Sequence, residues 1–128
     1  MIVQIMEGAM FVASEGWCCR YEVLALRDGY LVQMRDVATG DLDEEFSTIF
    51  RSLPVAVAYA VMSAAYERYV EMDSEEEGYD DIEAELELSE QNFLELSDRL
   101  GDAGVQQDVL KEWKKSDDHR LKASRCYH

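Results

Sequence analysis

Basic residues are missing from one long stretch of this chain: positions 71–90 hold eleven Asp or Glu and no Lys or Arg. That absence excludes free nucleic acid as a ligand of this region, because its phosphates would be repelled. Histidine occurs only twice, as His119 and His128. No Ser or Cys sits in a recognisable nucleophile context and there is no Gly-rich phosphate loop, so catalysis finds no support. A carboxylate pair such as Asp43 and Glu44 is expected by chance among 28 acids. The three cysteines include an adjacent pair, Cys18 and Cys19, whose side chains would point to opposite faces of a strand and so would not pair with each other. With Cys126 alone in the tail, no disulfide framework is legible, which favours a reducing compartment. Zinc is not expected either, since Cys18-Cys19 lacks a spacer and His119, Cys126 and His128 lie near the C-terminus. The first residues, MIVQIMEGAM, have no basic segment of the kind that opens a signal peptide. The longest apolar run, 53–66, is 14 residues interrupted only by Ser63, too short to span a bilayer. A soluble, cytoplasmic protein is the expectation.

What is present is enough to fold. Of 128 residues, 48% are hydrophobic, and two Trp, seven Tyr and four Phe are more than a disordered acidic chain would hold. One domain is expected over 1–115, with 116–128 as a mobile basic tail. The net charge of −16 is unevenly placed: residues 1–110 hold 25 acids against six arginines, while 111–128 hold six bases against three acids.

The spacing of apolar residues predicts an α+β fold, an N-terminal antiparallel β-meander with C-terminal helices packed on it. Strands are expected at 2–13, 17–26, 30–37 and 42–47, with turns at 14–16, at Asp28-Gly29 and at 38–41. Ser52 and Pro54 then open a helix to about residue 72. Its first half is apolar nearly all round, so it either lies between the sheet and later helices or forms a homodimer seam; the first is preferred. Residues 82–88 alternate apolar residue and Glu, which argues for a strand, although Glu, Ala and Leu favour helix. Ser89 as an N-cap, with Leu88 and Phe93 as a hydrophobic staple, favours a separate helix from 89 to 100 and leaves 82–88 as an extra acidic edge strand. Gly101 ends that helix, and Asp102 is expected to cap a last one over 103–115.

Two motifs suggest more than they deliver. Asp73, Glu75, Glu77, Gly78 and Asp81 fall at positions one, three, five, six and nine of an EF-hand loop, but Ala84 occupies position twelve, where a bidentate Glu belongs. No metal or other cofactor is therefore expected. Residues 93–115 have the outline of a helix-turn-helix, yet a DNA reader would have to keep a charge of −19 away from phosphates, so an αα-hairpin packed on the sheet is expected. As a strand, 82–88 would project Glu83, Glu85 and Glu87 from one face about 6.7 Å apart. That is sparse beside the one charge per about 1.7 Å of duplex DNA, so the loop before it, and further Asp41, Asp43, Glu44 and Glu45, would be needed to thicken the patch.

In size, charge and its run of acids at 71–90, the chain resembles phage-encoded acidic inhibitors, the DNA mimics and anti-CRISPR proteins. The resemblance lies in composition, and no motif carries a functional residue across. It implies a non-catalytic protein that blocks the basic, nucleic-acid-binding surface of a partner protein in a bacterial host cell, with no direct nucleic acid, no membrane, and a homodimer possible. The expected contact residues are Glu71, Asp73, Glu75, Glu76, Glu77, Asp80, Asp81, Glu83, Glu85, Glu87 and Glu90. An immunity protein neutralising a cationic toxin is the alternative, and a small metal-binding or enzymatic domain the second alternative.

Overall fold

The computed structural model describes residues 7–106; the basic tail and most of the expected 103–115 helix lie outside the described residues. Four strands run as the expected meander: β1 Met10–Glu15, β2 Cys19–Leu26, β3 Gly29–Asp36 and β4 Leu42–Phe50. They pair antiparallel in chain order, and a two-residue strand β5, Val105–Gln106, adds beyond β4. Alternation sends Tyr21, Val23, Val32, Met34, Phe46 and Phe50 to one face, where they form the buried core. Strand β1 continues through Glu15, so the reversal falls at 16–18 rather than 14–16. Strand β4 runs three residues past the expected end because Thr48 and Phe50 keep the inward alternation and are buried.

The Asp28-Gly29 turn is present, for a reason other than the usual one. Leu26 pairs with Gly29, so Arg27 and Asp28 form the bend, and Gly29 has no positive φ. A Cβ there would lie 2.6 Å from the Phe50 carbonyl oxygen of β4. Glycine is needed for close approach between strands, not for a left-handed backbone.

Helix α1, Leu53–Glu71, begins where Ser52 and Pro54 place it. Ser52 makes no side-chain cap bond. Its N–H and that of Arg51 instead donate to the Asp102 carboxylate at 2.8 and 2.9 Å. The helix lies between the sheet and a second helix, which is the preferred of its two expected settings. Val55, Ala56, Ala60 and Ala64 join the core under the sheet. Ala58 and Ala65, on the opposite side at 100° per residue, are also buried, and there α1 packs on α2. Small side chains on both sides let a sheet and a helix approach closely.

Helix α2, Tyr79–Leu100, corrects the reading of 82–88. There is no edge strand and no new helix at Ser89; one helix of 22 residues runs through both. Its buried stripe takes Leu86 and Ser89, with Ile82, Phe93 and Leu96 partly buried beside them, while Leu88 is 67% exposed. Ser89 donates to the Glu85 carbonyl at 2.8 Å, the back-bond of a mid-helix serine rather than a cap. Helix propensity and a tertiary partner outweighed a seven-residue alternation. Gly101 closes the helix in left-handed geometry, as expected.

The chain then turns back instead of starting a helix at 103. Asp102 is 7% exposed and ties residues 51 and 52, Gly104 takes a positive φ, and Val105 pairs with Ile49. A Cβ on Gly104 would come 2.5 Å from the Phe50 ring, so this return is fitted around an aromatic core residue. Among the described residues, no helix is long and apolar enough to cross a membrane.

Candidate functional site

The residues expected to make contact are gathered at one end of the outer layer and along the first half of its helix, on more than one side of it. Glu71 closes α1 and is half-buried; Asp73, Glu75, Glu76 and Glu77 are exposed on the connection; Asp80 and Asp81 open α2. The connection is compact: Asp73 accepts from the Glu75 N–H at 3.2 Å, and Glu76 accepts from the Asp73 N–H at 3.3 Å. Asp80 and Asp81 sit in the first turn, where the helix dipole favours negative charge. Beneath them Tyr79 donates to the Tyr69 hydroxyl at 3.0 Å, and the two rings stand 5.5 Å apart. That hydrogen bond, with burial and the nearby Tyr69, Glu83 and Asp80, pushes the Tyr79 phenol up to about 12, so it stays neutral.

A helix distributes the glutamates differently from a strand. At 100° per residue, Asp80, Glu83, Glu87 and Glu90 fall on one flank, followed there by the exposed Leu94. Glu85 lies on the other flank and pairs with Arg68 of α1, which also donates to the Glu15 carbonyl. The expected row Glu83, Glu85, Glu87 therefore does not exist, and Glu85 serves as a tie between helices. The helix also packs charge more tightly. Four carboxylates, Asp80, Glu83, Glu87 and Glu90, share that flank over about 15 Å of axis, or one per about 4 Å, against about 6.7 Å for a strand face and about 1.7 Å for duplex DNA.

The calcium outline dissolves in the fold. Gly78 is the N-cap of α2, and positions nine and twelve of the supposed loop, Asp81 and Ala84, lie inside the helix. Residues 73–84 thus do not form a twelve-residue loop. An open depression of about 340 Å³ is lined by Glu76, Glu77, Asp80 and Asp81 among others.

One charged group escaped the sequence reading. Glu67 is 4% exposed on the sheet-facing side of α1. Its carboxylate accepts from the Cys18 N–H at 2.8 Å and the Tyr21 hydroxyl at 2.9 Å, and the Cys18 sulfur lies 3.1 Å away. The signal was present: Glu67 follows Ala60 and Ala64 at helical spacing, on the face of the core. Burial, and secondarily the Glu67 charge, pushes the Cys19 thiol up to about 12 and raises the Tyr21 phenol as well. Cys18, Cys19 and Glu67 come together in the buried interior, but Cys18 is disulfide-bonded and offers no thiolate to a metal. The two sulfurs are 3.8 Å apart and not bonded to each other; Cys19 is free, whereas Cys18 has a further partner. Glu67 is spent on holding the β1–β2 turn against α1.

What these observations define, among the described residues, is a five-stranded antiparallel sheet, its first four strands a meander, covered on one face by two helix layers, the outer one acidic. Comparison with protein-family models, curated proteins and solved structures finds no significant match.

Proposed function

We propose that the protein is a non-catalytic acidic inhibitor of the anti-CRISPR or DNA-mimic kind, which binds the basic, nucleic-acid-binding surface of a partner protein through α2 and the 72–78 connection. In this reading it acts in the cytoplasm, that of a bacterial host if it is phage-encoded. The observation that carries it is the placement of the base-free segment on the outermost helix, with four carboxylates on one flank at about one per 4 Å of axis, denser than a strand face would allow. Leu88 and Leu94, 67% and 62% exposed among the acids, would supply apolar contact. Such a mixed face suits a protein groove better than a simple polycation. The face would speed encounter with a basic groove and deny it to nucleic acid.

The test is capture from bacterial lysate at 0.1 and 1 M salt. Wild type should retain basic nucleic-acid-binding proteins at low salt and release them at high salt, as the Debye length falls from about 10 to 3 Å. Changing Glu83, Glu87 and Glu90 to Lys should abolish capture. Glu7, Asp28 and Asp41, exposed and away from α2, serve as the control triple. Glu22 is unsuitable there, because it is 2% exposed and paired with Arg35. Equal loss from both triples would reduce the effect to bulk charge and end the localised reading; capture of a single cationic toxin would point to an immunity protein instead.

A further inference from the structure

No disulfide was legible in the sequence, yet Cys18 is bonded. The chain has three cysteines, and Cys19 is a free thiol 3.8 Å from the Cys18 sulfur. Elimination leaves Cys126 as the partner within the chain. Asp43 and Glu71, like Cys18, each hold a further partner, and all three belong to one corner of the fold. Val37 donates to the Cys18 carbonyl at 3.0 Å and Cys19 pairs with Asp36, which sets the end of β3 beside Cys18. Asp43 enters β4 from the same end, since Arg35 pairs with Leu42. Glu67 binds Cys18 from α1, and Glu71 follows one turn later. Beyond the effect of burial, the charges of Glu67, Asp36, Asp43 and Glu71 all reach the Cys19 thiol and raise it.

We propose that Cys126 closes a disulfide with Cys18, a redox-sensitive latch that fastens the C-terminal segment onto this acidic corner. The segment fits by charge. Residues 119–128 carry Arg120, Lys122 and Arg125 and no acid, and Arg125 immediately precedes Cys126. Asp36, Asp43 and Glu71 are the half-buried carboxylates that face it. The segment also fits by length. Gln106 pairs with Thr48 at the far edge of the sheet, three strands from β2 and about five residues along it, so Cys18 is roughly 20 Å away. The 20 steps from residue 106 to 126 reach up to about 66 Å, so closure needs no stretched chain.

Both redox states are provided for. Closure joins the two sulfurs, and the two electrons and two protons pass to an oxidant of the small-molecule disulfide class, which leaves as two thiols. Opening runs the same exchange backwards, with a small thiol as reductant. The Cys18 thiol then has an acceptor in place, the Glu67 carboxylate at 3.1 Å. Cys19 does not interfere from 3.8 Å, because a thiol that burial pushes up to about 12 supplies almost no attacking thiolate at neutral pH. In a reducing cytoplasm the latch stands open and the basic segment is released. An oxidising environment draws that segment in beside the connection that follows Glu71. The latch is a property of the chain alone and stands whether or not α2 binds a basic partner.

The experiment is peptide mapping of the full chain after equilibration in oxidised glutathione, with free thiols blocked by N-ethylmaleimide in denaturant. One blocked thiol per chain is expected, with the peptide holding residues 18 and 19 joined to the one holding Cys126, and excess dithiothreitol should remove the link. Cys19→Ser should keep the link and Cys126→Ser should lose it; if Cys19→Ser misfolds, Cys19→Ala gives the same answer. Trypsin should cut after Lys122 and Arg125 about tenfold more slowly in the oxidised chain than in the reduced one. Asp43→Lys combined with Glu71→Lys should shift the glutathione composition at which half the chains are latched severalfold toward oxidant. Glu90→Lys, exposed on α2, should leave it in place. Three free thiols after oxidation, a link between Cys18 and Cys19, or a Cys126 link between two chains overturns the proposal. So does a half-latched composition that Glu90→Lys moves as far as the corner pair does.

Discussion

Gly16→Ala should be among the most damaging small substitutions in this protein. Gly16 has no positive φ, so on backbone grounds alone alanine would stabilise by about 0.4–1 kcal/mol through the unfolded chain. The structure reverses that sign. A methyl group on Gly16 would overlap the Glu67 carboxylate, striking both oxygens and the carbon between them. The carboxylate cannot move without releasing the Cys18 N–H and the Tyr21 hydroxyl, both buried. Hydrogen bonds to a charged group are worth about 1.5–3 kcal/mol each, so the pair sets a loss of about 3–5 kcal/mol after partial relaxation. Against a total of about 5–15 kcal/mol, that leaves a marginal fold. Urea titration should show the midpoint falling at constant slope, and the melting temperature should drop by roughly 10–20 °C. The decisive comparison is a cycle with Glu67→Ala. Once the carboxylate is gone, adding Gly16→Ala should cost less than about 0.5 kcal/mol. Gly16→Ala within about 0.5 kcal/mol of wild type, or equally harmful with and without Glu67, would refute the lock.

The long outer helix and the buried thiol give two more tests. Glu90→Pro should destabilise by about 3 kcal/mol or more in thermal melts, since position 90 is interior to α2; a neutral result would restore a helix starting at Ser89, where proline at the first position is tolerated. Alkaline pH should weaken the protein: the Cys19 thiol lies at about 12 in the fold against 9.0 unperturbed, and Tyr21 is raised in the same sense. The fold favours the protonated forms, so their contribution is complete below pH 9 and lost as pH climbs towards 12, and a urea midpoint unchanged from pH 8 to 11 would contradict this.

The elements that the sequence revealed are those with a local signal, even where the structure adds a distant partner. The Gly101 stop depends on a few adjacent residues, while the 27–29 bend and the Ser52-Pro54 helix start are where the pattern put them although Gly29 is fitted against Phe50 and the helix start is held by Asp102. The misread elements depend on partners far along the chain. Ile82, Ala84, Leu86 and Leu88 satisfy a strand period, but α1 offers a groove that uses only Ile82 and Leu86 and leaves Leu88 in solvent. Val105 fits an amphipathic helix until Asp102 is drawn to residues 51 and 52 and Gly104 gives way to Phe50. The acids at 71–90 were legible as composition; that Glu83, Glu87 and Glu90 share a flank while Glu85 does not was beyond reach until the helix was known.

The layering also bears on how such a protein can change over generations. Of the 22 residues of α2, only Leu86 and Ser89 are fully buried, and the helix rests on α1 rather than under it. Most of its surface can be rewritten one residue at a time with little consequence for the sheet or for α1, because exposed substitutions typically shift stability by less than about 0.5 kcal/mol. A lineage pressed to follow a drifting target would find its raw material there, on a replaceable outer plate bolted to a frame that tolerates far less change.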